Sequence, residues 1–264
     1  MAGIGDDLDR TGAPELPSGR IPVQAPPDQA EPAGAGSILA TVIPMMGSMG
    51  VMVFMAMSNG QNTRMLLMAG AMVVAMLSMV GFNIHRQIST HRAKVVGLRR
   101  EYLAYLSETR DTVRAVARKQ RAYTNWHLPD PDALVLLAED SSRLWEREIG
   151  ADDLLNVRLG ASTQDLAMEL VEPELPPLAN PDVVCHSAVS RFLAAHSRVD
   201  DMPFGVVLSE FSRIDVCGDE GTTASEIRAM IGHLVVFAPP TALRVAVLAS
   251  PERLADWEWV KWLP

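Results

Sequence analysis

The sequence predicts an α-helical transmembrane hairpin, a long helical cytoplasmic stalk, and then an α/β domain of a degenerate, P-loop-like type that is incomplete at its C-terminal end. Three observations predict this fold class. Two uncharged segments of 22 and 20 residues lie close together in the first third of the chain. Residues 85–123 then contain no proline. In the last 60 residues, strand-like and helix-like segments alternate around a glycine turn.

The composition confines membrane-like sequence to one region of an acidic chain. Of the 264 residues, 48% are hydrophobic and 5% are aromatic, and 11 of the 15 methionines lie between Met45 and Met79. The apolar content excludes a disordered chain, and the presence of only Cys185 and Cys217 excludes a disulfide scaffold. Residues 101–264 carry 15 basic and 26 acidic side chains. This part should repel a nucleic-acid backbone, so no nucleic-acid partner is predicted.

The first 36 residues differ in character from the rest of the chain. They contain six prolines together with Gly, Asp and Gln, and they show no hydrophobic period. Because such a segment buries too little apolar surface to fold, residues 1–36 are predicted to be a disordered cytoplasmic tail.

The two uncharged segments, Ser37–Ser58 and Met65–Ile84, are each long enough to cross a hydrocarbon core of about 30 Å as a helix. Residues 59–64 leave room only for a tight polar turn between them, so 37–84 is predicted to be a two-helix transmembrane hairpin. A cleaved signal peptide is a poor alternative, because the first span is preceded by an acidic segment.

The orientation of the hairpin follows from the distribution of basic residues. Residues 85–100 contain five of them and no acidic residue: Arg86, Arg92, Lys94, Arg99 and Arg100. Such clusters lie on the cytoplasmic side of membrane spans, so residue 85 onward is predicted to be cytoplasmic. An even number of crossings places the N-terminus there as well. The cluster directly follows the second predicted span. This position indicates that its basic residues set the membrane topology and contact lipid headgroups, and it argues against a nucleic-acid site.

Residues 85–125 are predicted to form a helical stalk that continues the second span. Apolar residues recur there at a spacing of three to four, at Val95, Leu98, Tyr102, Tyr105, Leu106, Val113 and Val116. A helix of about 38 to 41 residues would reach about 60 Å from the membrane. The segment Trp126–Pro131 ends it, because its two prolines cannot continue a helix.

A small mixed linker and stalk module is predicted over residues 126–177. It consists of a short helix at Asp132–Ser142, a strand at Leu154–Gly160 and a proline-rich linker at Pro173–Pro177. A helix at Asn180–Arg198 then follows, with Asn180 as its N-cap.

Residues 178–264 are predicted to begin a degenerate ATPase-like α/β domain. The pattern consists of strands at Phe204–Leu208 and Arg213–Val216, a turn at Cys217–Gly221, a helix at Thr222–Phe237 and a strand at Leu243–Leu248. A strand, a glycine turn, a helix and a second strand form the βαβ setting of a phosphate-binding loop. An unrelated α/β unit would have the same spacing, and both interpretations stay open.

The glycine turn lacks the groups that bind a nucleotide. A P-loop needs G-x-x-x-x-G-K-[ST], and aligning Gly221, Thr222 and Thr223 with its last three positions puts Thr222 in place of the lysine. Gly218 lies within this degenerate loop, and Asp219 adds negative charge where phosphates would pass. We therefore predict no catalytic residue and no bound cofactor here.

Other candidate sites are weak. Cys185 and His186 could be combined with Cys217 or His196 as metal ligands, but no metal-binding spacing is repeated, so no metal site is predicted. The histidines also lack a nucleophile-and-base pattern.

Several motifs together resemble a known family. They are Tyr102-Leu103, Trp126–Pro131, Leu144–Arg147, Asp152–Gly160 and the closing Asp256–Pro264. Over residues 37–264 the chain resembles the N-terminal region of EccC-type FtsK/SpoIIIE ATPases, which belong to type VII (ESX) secretion systems of mycobacteria and actinobacteria. It departs from the family at Glu148, where a second arginine is expected.

The resemblance implies a function that composition and spacing do not supply. Proteins of this family are longer multi-pass inner-membrane proteins, with further ATPase domains that use ATP and Mg²⁺, so those cofactors are expected only beyond residue 264. They assemble with other ESX membrane components into a multimeric, hetero-oligomeric complex. That complex exports WXG100 and PE/PPE proteins, which the domains absent from this chain would engage.

Two other functions fit the same sequence. One is a non-enzymatic two-span membrane scaffold with an acidic docking domain, and it predicts that residues 126–264 fold alone. The other is the membrane anchor of an FtsK-type DNA translocase, against which the acidic balance of residues 101–264 argues. A two-span sensor fits the sequence less well than these, because the six-residue loop leaves no room for an external ligand domain.

Overall fold

The structure is a computed structural model that describes residues 12–30 and 63–264, with scattered helical positions between 43 and 58. Most of the first predicted span, 37–58, and the turn that follows it lie outside the described residues. The described chain is largely helical, with one long helix and two small two-stranded sheets.

The long helix, α1, runs without interruption over Thr63–His127, which is 65 residues. The prediction that the second uncharged segment and the stalk form one helix is therefore confirmed. The helix ends at His127 because Pro129 and Pro131 follow directly, and neither supplies an N–H to a further turn.

The N-terminal part of α1 has an apolar surface that the described protein leaves uncovered. Within the described residues, one helical stretch, in Gly70–His127, is long and apolar enough to cross a membrane; its mean hydropathy is 1.2 and none of it is buried. Leu67, Met68 and Phe82 are examples of large exposed side chains. The described chain thus contains one apolar helix of membrane-spanning length, and the two-span hairpin stays a prediction.

The remaining elements follow α1 in chain order, except β1, which precedes it. They are strand β1 at Arg20–Pro22, helix α2 at Leu134–Asp140, strand β2 at Asn156–Asp165, strand β3 at Glu169–Val171, helix α3 at Val183–His196, strand β4 at Arg198–Val207 and helix α4 at Glu220–Phe237. Short 3₁₀ helices lie at Pro131–Ala133, Leu208–Glu210 and Pro251–Trp262. The predicted short helix at Asp132–Ser142 and the predicted helix at Thr222–Phe237 are confirmed to within a few residues.

The chain divides into two compact units. The first contains Met1–Ile21, Asp111–Val171 and Ala195–Pro264, and the second contains Pro22–Arg110 and Glu172–Ala194. In the first unit, β2 and β4 pair antiparallel in a register that runs from Asn156↔Val207 to Asp165↔Arg198, with two irregularities. Its hydrophobic core contains Leu134, Val236 and Phe237.

The first unit does not form the predicted βαβ arrangement. Residues 213–216 and 243–248 have no strand structure, and the sheet beside α4 is an antiparallel pair. Backbone groups in a strand need a neighbouring strand as partner, and no described strand offers its edge to either segment. The strand predicted at 204–208 belongs instead to the longer β4, which begins where the preceding helix was predicted to end.

The predicted disordered tail also needs correction in its described part. Arg20–Pro22 forms strand β1, which pairs with β3, and Glu169 N–H donates to Gly19 O over 3.2 Å. Ile21 and Val23 are buried, at 9% and 4% exposure. The prediction missed this stretch because residues 1–36 are polar on average. Ile21 and Val23 are two residues apart, which is the spacing of side chains on one face of a strand.

In the second unit, residues 22–30 pack against α1. Tyr102 Oη donates to Gln24 O over 2.8 Å, and Tyr105 Oη accepts from Gln24 N–H over 3.0 Å. Burial raises the pKa of Tyr102 to about 12, so its hydroxyl stays a donor at neutral pH. Gln29 N–H donates to Asn180 O over 2.7 Å. The N-terminal segment is therefore fixed to both the stalk and the start of α3.

Helix α3 is capped by Asp182, and the prediction of Asn180 as N-cap was wrong. Asp182 Oδ1 accepts from Val184 and Cys185 N–H, each over 3.1 Å. The same carboxylate, 8% exposed, pairs with Arg99 over 2.7 Å. The Arg99 guanidinium holds the pKa of Asp182 below its usual value. One carboxylate thus joins the helix start to α1.

We expect Asp182→Ala to destabilise the second unit by about 2 kcal/mol, since it removes a helix cap and a charge-assisted pair. The pKa of Asp182 is lowered by folding, so its contribution is complete above the unfolded value of about 4 and disappears as the pH falls through the folded value. Denaturant unfolding at several pH values measures the difference. Asp165→Asn, in the exposed pair with Arg198, is the matched control and should have little effect. A difference unchanged at pH 3 would contradict the assignment.

Candidate functional site at the end of the stalk helix

The motifs that carry the family resemblance meet in the first unit, where α1 ends. Arg147 lies at the centre of this junction, with its side chain 2% exposed. Its Nη1 donates to Asn156 O, and its Nη2 donates to His127 O over 3.1 Å. The guanidinium also lies 4.6 Å from the centre of the Phe237 ring. The arginine therefore joins the end of α1, the start of β2 and the end of α4.

Arg143, four residues earlier in the chain, makes a similar set of contacts. It pairs with Glu146, donates to Trp126 O over 2.9 Å, and lies 3.9 Å above the centre of the Trp126 ring. The same guanidinium is 5.2 Å from the Phe237 ring centre. Two arginines thus contact one buried aromatic ring, an arrangement in which cation–π attraction is strengthened by desolvation.

Four consecutive backbone carbonyls after the stalk each accept a hydrogen bond from a different side chain. Trp126 O accepts from Arg143 and His127 O accepts from Arg147, as described above. Leu128 O accepts from Arg158 over 3.2 Å, and Pro129 O accepts from His233 Nε2 over 3.0 Å. Carbonyls at a helix end have no partner within the helix, so these four side chains satisfy groups that burial would otherwise leave unpaired.

The last carbonyls of α4 also accept hydrogen bonds, in this case from the segment Leu144–Arg147. Trp145 N–H donates to Val236 O over 2.8 Å, and Arg147 N–H donates to Phe237 O over 3.0 Å. Trp145 Nε1 also donates to Val235 O over 3.2 Å. Trp145 adopts a left-handed conformation, with φ of 58°, and this strained backbone is maintained by the bonds on both sides.

The chemistry of the junction is that of a structural joint. Its guanidinium groups and the His233 Nε2 donate to backbone carbonyls, and Arg143 is also paired with the Glu146 carboxylate. Within residues 12–30 and 63–264, no group of three or more His, Cys, Asp or Glu side chains is arranged to hold a metal ion. These bonds join the end of α1 to α4 and to β2.

His233 makes the junction sensitive to acid. The side chain is fully buried, and this burial lowers its pKa to about 4. At neutral pH this low pKa leaves the imidazole neutral, and its single proton lies on Nε2, which donates to Pro129 O. The unfolded chain takes up a proton near pH 6.5 and the folded chain does not until about pH 4. Stability should therefore be complete above about pH 6.5 and fall by about 1.4 kcal/mol per pH unit below it.

The measurement is the free energy of unfolding of the first unit from pH 7.5 to 4.5. His233→Gln, which keeps a donor but does not titrate, should lower stability at pH 7.5 and remove the slope over this range. His186→Gln, on helix α3, is the matched control and should leave the slope in place. An identical slope in His233→Gln would show that another group is responsible.

The degenerate P-loop position forms a capped helix start. Asp219 is the N-cap of α4: its Oδ2 accepts from Thr222 N–H over 3.0 Å and its Oδ1 from Thr222 Oγ1 over 2.7 Å. The Thr222 N–H holds the pKa of Asp219 below its usual value. Thr223 Oγ1 donates to Asp219 O over 3.0 Å. In the segment predicted to be a degenerate P-loop, which includes Gly218 and Gly221, Thr222 thus bonds a carboxylate of the chain itself and Thr223 bonds the carbonyl of the same residue.

The cysteines and histidines considered as metal ligands have separate environments. Cys185 is buried and its N–H bonds to Asp182, and burial raises the pKa of its thiol. Cys217 is exposed, directly before the Asp219 turn. His186 and His196 both lie in α3, and neither is grouped with the cysteines as a metal-binding set in the described chain.

Sequence reasoning did not identify the roles of Arg143, His233 and Phe237. Arg147 and Arg158 stood within motifs that carried the resemblance, but without an assigned function. The available signal was a lone histidine among apolar residues of a predicted helix, followed four residues later by a phenylalanine. Buried histidines of this kind usually bond to the backbone, and that is their role here.

Comparison with known proteins identifies homologues of this chain. No protein-family model matches the chain. The chain is 35% identical over 257 residues, 97% of its length, to the ESX secretion system protein EccC of Thermomonospora curvata. It is 33% identical over 91% of its length to the ESX-4 secretion system protein EccC4 of Mycobacterium tuberculosis. It is also 26% identical over 95% of its length to the ESX secretion system protein YukB of Bacillus subtilis.

The chain covers 19% of the Thermomonospora protein and 20% of the mycobacterial one, so it spans about a fifth of the length of these relatives. Further EccC proteins, of ESX-3 and ESX-1 systems, match at 39% and 34% identity over 63% of the chain. The predicted resemblance is confirmed, and the chain is a homologue of the EccC proteins of ESX secretion systems.

Proposed function

We propose that this chain is the membrane-anchored part of the motor ATPase component of a type VII (ESX) secretion complex. In this role it anchors the ATPase in the plasma membrane and helps to assemble the channel complex. The observation that carries the proposal is the similarity to EccC across 97% of the chain. ATP and Mg²⁺ would act in further domains of the complete protein, which would also engage the secreted WXG100 and PE/PPE proteins.

The contacts of the N-terminal segment support a two-span anchor. Gln24 is bonded to Tyr102 and Tyr105, and Gln29 to Asn180, so residues 22–30 and the stalk must lie on the same side of any membrane. If α1 crosses the bilayer once between residues 65 and 84, the chain must cross a second time between 31 and 62. The uncharged segment 37–58 is the sequence able to do so.

The junction after the stalk supports a role in coupling. An anchor that positions a motor must hold its helix at a fixed angle to the domain that follows. Arg143, Arg147, Arg158 and His233 bond the four carbonyls that end the helix, and these directional bonds fix that angle. Other ESX membrane components would then bind a rigid stalk, in an assembly of several copies.

A segment exchange tests the proposal. The 264 residues replace the matching segment of Thermomonospora curvata EccC, and the chimera is expressed in cells that lack their own EccC. We expect the chimera to remain in carbonate-washed membranes, to co-purify with the other ESX membrane components and to restore export. The control chimera lacks residues 37–84 and should be found in the soluble fraction. A full-length chimera that is membrane-bound but neither assembles nor restores export would refute the assembly role.

A further inference from the structure

We propose that Arg86, Arg92 and Lys94 form a basic collar on α1 that binds anionic phospholipid headgroups. The inference rests on the proposed membrane anchoring and adds a lipid class to it. All three side chains are exposed, and none takes part in the ion pairs of the described chain. Helix α1 has no acidic residue before Glu101, so these cations have no internal counter-charge on their own part of the helix.

The spacing of the collar matches the interface of a bilayer. At 1.5 Å per residue, the three residues lie about 3, 12 and 15 Å beyond Ile84, the end of the apolar segment. Side chains on a helix lean toward its N-terminus, which here is the direction of the membrane. The long stems of Arg and Lys can therefore reach back to headgroups while their apolar methylenes lie along the helix.

The distribution around the helix axis favours a lipid layer over a macromolecular partner. At about 100° per residue, Lys94 is about 80° from Arg86 and Arg92 about 240° from it, so the three cations surround the helix. A protein or a nucleic acid would bind one face of the helix. A layer of headgroups surrounds a transmembrane helix on all sides, and its anionic members carry the complementary charge.

Arg99, on the same helix, differs from the collar residues because its charge is paired within the chain. Its guanidinium is occupied by Asp182, with bonds of 2.7 and 3.1 Å to both carboxylate oxygens. Among the residues that the structure describes, no carboxylate is paired with any of the three collar residues. A lipid phosphate outside the chain would supply the negative charge that these three side chains lack.

The test uses the full chain with a tryptophan reporter, Phe82→Trp, reconstituted in vesicles. Phe82 is an exposed side chain just before the end of the apolar segment. On α1 the nearest native tryptophan, Trp126, is about 66 Å farther along. Subtracting the signal of the parent chain isolates the reporter. Quenching by brominated phosphatidylglycerol and by brominated phosphatidylcholine gives the relative association of the two lipids with the helix.

We expect phosphatidylglycerol to be favoured about three- to tenfold, because each basic residue near a membrane attracts anionic lipid. The triple change R86Q/R92Q/K94Q should bring the ratio close to one, and 0.5 M NaCl should reduce it. The matched control is R110Q/R118Q/K119Q, which removes three exposed charges from the same helix, about 39 to 53 Å beyond Ile84, and should leave the ratio unchanged.

Each other outcome has a distinct meaning. Equal quenching by both lipids in the parent, or a preference that survives R86Q/R92Q/K94Q, overturns the collar while leaving the anchor intact. Loss of the preference in 5 mM glycerol 3-phosphate at constant ionic strength would show a site for free phosphate and overturn the lipid assignment. No quenching by either lipid would refute the anchoring itself, and the collar with it.

Discussion

Replacing Arg147 by alanine is expected to destabilise the first unit by about 3–5 kcal/mol, among the largest effects that a single substitution produces. The side chain is 2% exposed, and its two terminal nitrogens bond to Asn156 O and His127 O. Without it both carbonyls lose a donor in a site that water does not reach, and the Phe237 ring loses the cation that covers it.

The measurement is chemical unfolding of the full chain in detergent, followed by the fluorescence of tryptophans in the first unit. Arg147→Lys should be intermediate, because one ammonium group cannot bond both carbonyls in the geometry of a guanidinium. Arg213→Ala is the matched control: it breaks an exposed pair with Asp215 and should cost less than about 1 kcal/mol. Equal losses for Arg147→Ala and Arg213→Ala would mean that the junction is not a structural centre.

Gly205→Ala is expected to cost about 3 kcal/mol, although it adds one methyl group. Gly205 pairs with Arg158 in the β2–β4 ladder. A Cβ at this position would lie 2.6 Å from Val157 O and 2.8 Å from both terminal carbons of Leu128. Because the first obstacle is the backbone of the neighbouring strand, relief requires the strands to separate or shift in register.

The control for Gly205→Ala is the same chemical change at Gly97, in the middle of α1. A Cβ there meets nothing within 4 Å. Alanine should instead stabilise the helix, by about 0.5–1 kcal/mol, because glycine carries a larger entropic cost in a helix. Opposite signs in urea unfolding are the predicted result, and a Gly205→Ala protein as stable as the parent would show that the strand pair tolerates the added volume.

The long helix was predictable because its determinants are local. From residue 63 to residue 127 there is no proline, and the apolar spacing is compatible with a helix throughout. The break at Pro129 and Pro131 is equally local. The resemblance to EccC proteins also rested on local motifs, and the comparisons confirm it.

The junction could not be derived, because its bonds join distant parts of the chain. His233 reaches Pro129 across 104 positions, and Trp145 reaches Val235 across 90. No periodicity encodes such pairs. The predictions of strands at 213–216 and 243–248 were wrong for a related reason. Alternating apolar residues satisfy the sequence pattern of a strand, but a strand forms only where another strand accepts its hydrogen bonds.

A two-span anchor requires that the N-terminal segment and the stalk lie on the same side of a membrane that the chain crosses twice. The most direct test is cysteine labelling in intact cells with a membrane-impermeant thiol reagent, in a Cys217→Ser background in which Cys185 stays buried. A cysteine at Asn62 should be labelled in intact cells. A cysteine at Ser18 should be labelled only after the membrane is opened, as should native Cys217 in the parent chain. Labelling of Ser18→Cys in intact cells, or of Asn62→Cys only after opening, would contradict the two-span anchor.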